Sequence, residues 1–528
     1  MAYVPADRAF PAVRSGEARA FALCALVLAA LLLVPLLAVQ YPAMPDYVNH
    51  MARAHVIVQA ELHGREHPFY ELRHVLIPNL ALDVLVPLMV RAGITLDHAM
   101  RAFTGLALLL PLAGCVALAA AWQRRVPWLA LLAFPLAYNR YFAWGFLNYF
   151  FSVGLALLAF AAWLALRQRT RALPLAVLAP LLAVAGGLIM LSHLVGFGIL
   201  ALLVVSSEAW RAWGERRVLP LWRSRGLQAA ALGLFACVVF YLSAFERNLS
   251  LEALWPRWFL ARVRSSASPF ISYRTLPGLL VAAVVLGTLC ALVLRGHVHG
   301  LVRAARAPVL VLLVAFIALP SVLMGSYFLA ERLSGVVWSL LFAGLVLDRG
   351  LPGRARLLIV LAAFAATGLK SAEITTEWRR GSAKMAVIRA ALAQVPERSL
   401  IVTRIFGDRE AGGNYPLRHS AAFAVMDRDA YIPNFFGFPF NGETVGFREA
   451  MQPLTRSDLG LAIIDPDDPL DWTAVCANFD ILFAMRERPA KGQEPRCVTP
   501  LVQGQDFTVY RIVKGGEAEA STARPATP

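Results

Sequence analysis

The sequence predicts a polytopic α-helical membrane protein with about 11 transmembrane helices, followed by a C-terminal periplasmic α/β domain. Hydrophobic residues make up 59% of the 528 residues and charged residues only 16%, against roughly 25% charged residues in soluble proteins. Apolar runs of about 20 residues recur up to residue 370, and each is long enough to cross a hydrocarbon core of roughly 30 Å. After residue 370 the composition becomes that of a globular protein. A fully water-soluble fold is therefore excluded.

The apolar runs locate the predicted spans. The first run, 21–39, is too long for the apolar core of a cleavable signal peptide, so we expect an uncleaved signal anchor. The stretch 172–206 is longer than one straight span needs and contains Gly186-Gly187, which predicts two short helices in a hairpin. The remaining runs lie at 99–121, 126–143, 145–166, 227–245, 276–294, 308–327, 333–347 and 357–369.

The positive charge predicts the orientation. Lys and Arg total 50, whereas Asp and Glu total 34, so the formal net charge is +16. Five basic clusters, from Arg124-Arg125 to Arg349/Arg354/Arg356, alternate with pairs of spans, and all of them can face the cytoplasm together. We therefore expect a multi-pass protein of the bacterial inner membrane, with a cytoplasmic N-terminus and a periplasmic C-terminal domain. Orientation explains most of the basicity, and no nucleic-acid partner is expected.

Two segments need a separate interpretation. The apolar segment 75–90 contains two prolines, Asn79 and Asp83, and a crossing there would move Arg124-Arg125 outside, so we expect a re-entrant or interfacial piece. The segment 247–274 falls outside in this topology although it holds five arginines. Either this loop is basic for a functional reason, such as binding a phosphate or anionic head groups, or one span is miscounted.

The predicted domains are a transmembrane domain over 1–370, whose outer loop 41–98 carries juxtamembrane helices, a soluble α/β domain over 371–514 and a disordered tail over 515–528. Thr375 to Ala393 is typical of an amphipathic helix, and the strands predicted by apolar β-forming residues lie at 399–405, 479–485 and 507–513. Cys476 and Cys497 would lie in an oxidising compartment, where a disulfide and two free thiols are equally compatible with the sequence.

The most informative segment follows the first span and contains Asp46, Asn49, His50 and Arg53. Pro45 with Asp46 predicts a helix start, and on that helix Asp46, His50 and Arg53 share one face, with Asn49 beside them. A carboxylate, an imidazole and a guanidinium then meet at the outer membrane surface, where they can act on a lipid-linked substrate. The alternative is a helix-capping Asp on a solvated polar face.

The layout resembles the GT-C superfamily of membrane glycosyltransferases. The resemblance rests on the span number, the outer C-terminal domain and three short segments: Pro45-Asp-Tyr-Val-Asn-His-Met-Ala-Arg, Gly145-Phe-Leu-Asn-Tyr-Phe and Leu191-Ser-His-Leu-Val. It implies a polyprenyl-phosphate sugar donor, an extracytoplasmic acceptor glycan, lipid or protein, and Asp46 as the catalytic base or the group that orients the acceptor. His50, on the same helix face, is the second catalytic candidate. Asp46 is followed by Tyr47 rather than by a second acid, which favours a metal-independent reaction, and no cofactor is expected.

Such a reaction needs fixed positive charge for the departing phosphate. The planar fork of arginine pairs with phosphate oxygens and stays charged, so we expect phosphate binding by Arg53, Arg140, Arg264 and Arg332. Further pocket candidates are Asn49, Asn148 and His193, because polar groups at membrane depth must face protein or water. Three of these residues also have an alternative structural role without catalysis. The turn around Asn148 could be part of an interfacial aromatic belt, His193 could be a hydrogen-bonded core histidine, and Arg332 could form a local ion pair with Glu331.

Two other functions fit the same topology. A lipid or glycan transporter or flippase usually contains internal repeats, which are not evident here. A non-catalytic polysaccharide-assembly protein would use its outer domain to bind a partner. In the C-terminal domain no nucleophile, P-loop or zinc pattern surrounds the polar residues, so a structural or acceptor-binding role is expected for them. These residues are Asp408, Arg418, His419, Asp427, Arg428 and Asp429.

Overall fold

The computed structural model describes residues 15–73, 78–169, 174–215, 224–244, 253–254, 259–323, 326–406, 415–437, 444–455, 471–486 and 497–514. The α-helices in these ranges are α1 (Ser15–Leu37), α2 (Tyr47–His63), α3 (Ala81–Arg91), α4 (Leu96–Gln123), α5 (Arg140–Trp144), α6 (Leu147–Arg169), α7 (Leu175–Ser192), α8 (Leu194–Glu215), α9 (Arg225–Ala244), α10 (Phe259–Ser265), α11 (Thr275–Leu294), α12 (Arg306–Ala318), α13 (Leu329–Gly344), α14 (Gly353–Leu392), α15 (Ala422–Arg428) and α16 (Trp472–Asn478).

The strands are short. They are β1 (Tyr70–Leu72), β2 (Ala253–Leu254), β3 (Val298–Leu301), β4 (Val322–Leu323), β5 (Ser326–Tyr327), β6 (Leu345–Leu347), β7 (Ile401–Phe406), β8 (Val445–Phe447), β9 (Ile481–Arg486), β10 (Val498–Gln503) and β11 (Phe507–Ile512). Three 3₁₀ helices lie at Trp128–Leu136, Arg303–Ala305 and Glu449–Thr455.

In the described part of the chain, eight helices are long and apolar enough to cross a membrane, namely α1, α4, α6, α7, α8, α9, α11 and α14. The predicted hairpin at 172–206 is confirmed as α7 and α8, which are separated by His193. The run 126–143 differs from the prediction, because it forms the 3₁₀ helix Trp128–Leu136 and α5 rather than one α-helix. Pro135 lies inside that 3₁₀ helix and cannot donate a backbone hydrogen bond.

The helix bundle is held by close backbone approach. Helix α4 packs along α6, and Gly154 of α6 lies so near α4 that a Cβ there would approach Leu110 Cβ to 2.3 Å. Small residues at such crossings let transmembrane helices gain van der Waals contact. Large apolar side chains elsewhere on the spans remain exposed, for example Leu26 and Leu279, as expected for a surface that faces lipid.

Helix α14 joins the bundle to the C-terminal region. It is a single helix of 40 residues, which is about 60 Å long at 1.5 Å per residue. The predicted domain boundary at residue 370 therefore lies within a helix, and the amphipathic helix predicted from Thr375 is its second half. Lys370 and Glu373 are buried in its middle and form an ion pair of 3.0 Å.

The C-terminal region contains a four-stranded sheet in the order β10-β11-β9-β7, with β7 and β9 parallel and the other pairs antiparallel. The three predicted strands are confirmed as β7, β9 and β11. Cys476 and Cys497 form a disulfide, which links α16 to the start of β10. This sheet contacts α14 through β11.

The loop 41–98 is tied to the C-terminal region rather than projecting alone. Strand β1 pairs with β8 in antiparallel register, Tyr70 opposite Phe447. The Tyr70 hydroxyl accepts a hydrogen bond from Ile432 N at 2.8 Å and also contacts Ile432 O at 3.2 Å. We call the end of the bundle where α2, the turn 138–149 and residues 415–437 meet the Asp46 end.

Candidate active site

Asp46 lies immediately before α2, as the helix-start signal predicts, but its carboxylate does not cap the helix. It makes no side-chain capping hydrogen bond and is only 7% exposed. Its backbone N–H donates to Trp144 O at 3.1 Å, which joins the start of α2 to the aromatic turn after α5. The carboxylate therefore does not cap the helix but is buried among the side chains of the Asp46 end, a cluster that we call the pocket.

The aromatic turn forms one wall of this pocket. Gly145 ends α5 with φ +108°, a left-handed backbone conformation that favours glycine. His50 lies one turn along α2 from Asp46, and the backbone of Gly145 acts on its imidazole. His50 Nδ1 is buried and has no hydrogen-bond partner among the described residues.

The C-terminal region closes the pocket from the other side. His419 Nε2 lies 3.7 Å from Asp46 Oδ1. Phe436 packs between the two histidines, with ring centroids 5.1 Å from His50 and 5.0 Å from His419. Asn49, on the same turn of α2, receives a hydrogen bond from Phe436 N to its Oδ1 at 2.9 Å.

Arg332, in the first turn of α13, approaches from the bundle. Its guanidinium carbon lies 3.8 Å from the centroid of the Phe146 ring and 5.5 Å from that of Tyr149. In the described part of the chain Arg332 forms no ion pair, and its Nε has no hydrogen-bond partner. The predicted local pair with Glu331 is not formed, because Glu331 instead binds Arg262 at 2.8 Å. Arg332 is thus a buried cation held by aromatic rings.

Burial sets the protonation states in this pocket. It raises the pKa of Asp46 to about 7, against the opposing charges of Arg418 and Arg332. Burial, with the charge of Arg418, lowers the pKa of His419 to about 3. Burial, followed by the charges of Arg53 and His419, also lowers the pKa of His50 well below its ordinary value. At neutral pH both imidazoles are therefore neutral, while Asp46 titrates.

Arg53 does not join Asp46 and His50 in the pocket but pairs with Asp83. Its guanidinium is fully buried and binds Asp83 Oδ1 at 2.8–2.9 Å, while Asp83 Oδ2 accepts a hydrogen bond of 2.6 Å from Thr444. The pair connects α2, α3 and the C-terminal region. This environment is that of a structural ion pair, although the Arg53 charge also acts on His50.

The other predicted residues lie around the pocket at different depths. Asn148 donates to Asn79 O and Oδ1 at 2.7 Å and accepts from Leu82 N, which secures the segment before α3. His193 packs edge-on against Tyr149 at 5.7 Å, and its Nδ1 accepts from Val195 N. The structure thus connects His193 with Arg332 through Tyr149.

Two predicted arginines differ in exposure. Arg140 is half-buried at the start of α5, next to the aromatic turn. Arg264 is exposed at the end of α10. In the basic segment, Arg262 binds Glu331 and Arg274 binds Glu377 at 2.5 Å. Arg247 and Arg257 lie outside the described residues.

Tyr273 braces the segments that carry Asp46 and Gly145. Its hydroxyl donates to Ala43 O at 2.6 Å, lies 3.3 Å from Ala143 O and accepts from Trp378 Nε1 at 2.9 Å. The backbone N–H of Tyr273 donates to Glu373. Helix α14 thereby holds both walls of the pocket at a defined distance.

Sequence reasoning did not assign His419, Phe436 or Tyr273 to this site. His419 is 373 positions from Asp46, and neither belongs to a spacing that carries chemistry. The sequence signal for His419 was its place among six polar residues of the C-terminal domain that match no catalytic pattern, namely Asp408, Arg418, His419, Asp427, Arg428 and Asp429. Among the described residues, no group of three or more His, Cys, Asp or Glu side chains converges as a metal site.

No protein-family model matches the sequence, and no curated protein matches it. The structure is similar to the crystal structure of ArnT from Cupriavidus metallidurans bound to undecaprenyl phosphate, with a TM-score of 0.52. The two chains are 14% identical, and the match covers 97% of this chain and 100% of that one. ArnT has the GT-C fold. The chain is therefore a membrane-embedded protein with a GT-C-like fold, as its resemblance to that superfamily predicts.

Proposed function

We propose that this protein is a membrane glycosyltransferase that moves a sugar from a polyprenyl-phosphate-linked donor to an extracytoplasmic glycan, lipid or protein. The observation that carries the proposal is the buried Asp46, whose pKa is raised to about 7 by burial and lowered in part by the charge of Arg332, a buried guanidinium that forms no ion pair among the described residues of this GT-C-like bundle. The protein would lie in the bacterial inner membrane with its N-terminus in the cytoplasm and the Asp46 end toward the periplasm.

The two side chains fit the two tasks of the reaction. Asp46, when ionised, accepts the proton of the acceptor hydroxyl as that oxygen attacks the anomeric carbon. A base whose pKa lies near the working pH is partly ionised and still basic enough to act. His50, beside it, would contact the acceptor through Nδ1, which has no hydrogen-bond partner in the described part of the chain.

Arg332 would bind the phosphate that leaves with the lipid. A guanidinium can give two parallel hydrogen bonds to phosphate oxygens, and in a water-excluded site such fixed charge stabilises the departing anion strongly. Phe146 and Tyr149 hold the guanidinium in place without neutralising it. Arg140 is the second candidate at this position, whereas the exposed Arg264 and the Asp83-bound Arg53 are weaker ones.

The direct test uses purified, lipid-reconstituted protein and a panel of radiolabelled undecaprenyl-phosphate sugars with membrane lipid as acceptor. Asp46→Asn should abolish transfer, and Arg332→Ala should weaken binding of undecaprenyl phosphate by about tenfold or more, equivalent to the loss of one charge-assisted contact of about 1.4 kcal/mol. Glu61→Gln is the matched control, because Glu61 is an exposed acid on the same helix α2.

Full transfer by Asp46→Asn would refute Asp46 as the base. Equal binding of undecaprenyl phosphate by wild-type protein and Arg332→Ala would refute Arg332 as the phosphate ligand. Movement of the lipid across vesicles with no covalent product would instead identify a transporter.

A further inference from the structure

The orientation of the Asn49 amide is determined by the backbone alone. Its Oδ1 accepts a hydrogen bond from Phe436 N at 2.9 Å, and its Nδ2 donates to Asn434 O at 3.0 Å. A backbone N–H can only donate and a backbone carbonyl can only accept. The amide of Asn49 therefore cannot be turned over without losing both bonds.

This orientation determines the tautomer of His419. Asn49 Nδ2 lies 3.3 Å from His419 Nδ1, and the amide nitrogen of Asn434 lies 3.4 Å from the same atom. Because Asn49 presents a donor there, His419 Nδ1 must be the acceptor. A neutral imidazole with an acceptor at Nδ1 carries its proton on Nε2. That N–H is the group that faces Asp46 Oδ1 across 3.7 Å.

We propose that His419 is a positioning residue for Asp46: its Nε2–H orients the carboxylate and stabilises the ionised form from which the base acts. The proposal rests on the proposed function for its catalytic meaning. The contact needs to shorten by well under 1 Å to become a hydrogen bond, and catalytic hydrogen bonds that are long in ligand-free structures often tighten when substrate binds.

The proposal gives the C-terminal region a part in the chemistry. Asp46 belongs to the first loop and His419 lies just before α15, so neither the bundle nor the C-terminal region contains the pair alone. The other ionisable groups that act on these two side chains are Arg418 and Arg332, with His50 beside them and Arg53 behind His50. None of these groups can supply a neutral donor at the place that Nε2 occupies.

Two isosteric variants separate positioning from mere packing. In His419→Gln the side-chain nitrogen can take the place of Nε2 and donate to Asp46. In His419→Asn the side chain reaches only the place of Nδ1, so it can still contact Asn49 but cannot reach Asp46. If His419 acts only by packing against Asn49, the His419→Asn variant should behave like wild type. If it positions Asp46, the His419→Gln variant should behave like wild type and His419→Asn should not.

The readout is the ionisation of Asp46 in the full-length protein, measured without any sugar donor. Dicyclohexylcarbodiimide modifies protonated carboxyl groups in apolar surroundings, and peptide mass spectrometry quantifies its attachment at Asp46 as a function of pH. Loss of a donor to the carboxylate favours the protonated form. We expect His419→Asn to raise the labelling midpoint by about one pH unit, equivalent to one hydrogen bond, and His419→Gln to keep the wild-type midpoint.

Equal midpoints in all three proteins, or equal shifts in both variants, would overturn the proposal. NMR of ¹⁵N-labelled histidine in wild-type protein is a second measurement that needs no variant to fold. It should show His419 neutral and protonated at Nε2 between about pH 5 and 8, and a proton on Nδ1 would equally overturn the proposal.

The labelling and transfer assays distinguish two failures. If labelling shifts as expected but no sugar is transferred by wild-type protein, the proposed function fails and the Asp46–His419 pair remains. If Asp46→Asn abolishes transfer while labelling is insensitive to residue 419, only the positioning role fails. Where transfer is measured, His419→Asn should lower kcat with little change in KM, and His419→Gln should restore it.

Discussion

Gly145 packs directly against the backbone of Asp46. A Cβ at position 145 would lie 3.0 Å from Asp46 Cβ and 3.3 Å from Asp46 N, and the backbone there has φ +108°. Both the conformation and the space therefore require glycine. The aromatic turn can approach the start of α2 this closely only because residue 145 has no side chain.

Gly145→Ala should displace Asp46 and reduce sugar transfer more than it reduces stability. The strain of a left-handed alanine costs on the order of 1–3 kcal/mol, and the added methyl group pushes on the residue that carries the base. Gly187→Ala is the control, since a Cβ at this position of α7 meets no atom within 4 Å. Transfer rates and thermal unfolding of both variants check the prediction, and an active Gly145→Ala enzyme would contradict it.

Asp46→Asn should stabilise the protein at neutral and higher pH. The pKa of Asp46 is raised from 3.8 to about 7 on folding, so the stability this group contributes is fully present below pH 3.8 and is lost progressively as the pH rises to about 7. Three pKa units correspond to on the order of 4 kcal/mol. Asparagine cannot ionise and avoids this loss.

The measurement is thermal unfolding in detergent at pH 5 and pH 8, where the advantage of Asp46→Asn over wild type should be larger at pH 8. Glu61→Gln should differ from wild type equally at both values. A variant that is less stable than wild type at pH 8 would show that the ionised Asp46 is not buried at a cost.

The pH dependence of sugar transfer should reflect the ionisation of one group, Asp46. Because the base must be ionised, kcat/KM should rise with pH through about 7 and then level off. The pKa of His419, lowered to about 3, and the lowered pKa of His50 place both histidines in their neutral form over this range. Initial rates between pH 5 and pH 8 test this, and a rate independent of pH would argue against Asp46 as the base.

Arg262 and Arg264 are two residues apart, but their replacement by alanine should change the unfolding free energy by very different amounts. Arg262 is buried and binds Glu331 Oε1 and Leu319 O, each at 2.8 Å, so Arg262→Ala should lower the unfolding free energy by about 3–5 kcal/mol. Arg264 is exposed, and Arg264→Ala should change it by less than about 0.5 kcal/mol. Denaturation curves measure both, and equal effects would contradict this assignment.

The same two variants test the basic segment as a phosphate site. If Arg264 binds the donor phosphate, Arg264→Ala will lower the affinity for undecaprenyl phosphate without lowering stability. Unchanged affinity would leave Arg332 as the stronger candidate.

Local features of the chain follow from its sequence because their causes are local. The length of the apolar runs and Gly186-Gly187 predict the hairpin of α7 and α8, and Pro45-Asp46 predicts the start of α2, since span length, helix capping and turn formation depend on neighbouring residues. The resemblance to the GT-C superfamily rested on the predicted layout of spans, first outer loop and C-terminal domain, together with three short segments. The secondary structure of the run 126–143 was predicted wrongly, because its prolines change the helix type without changing the hydropathy.

The composition of the pocket depends on contacts between distant parts of the chain. Helical periodicity places Asp46, His50 and Arg53 on one face. In the structure Arg53 binds Asp83, and His419 from the C-terminal region lies beside Asp46. Arg332 and Arg264 are equally charged in sequence, but the rings of Phe146 and Tyr149 bury one while the other stays exposed. Periodicity and charge can nominate such residues, but burial and partner choice arise when α2, α13 and the C-terminal region pack together.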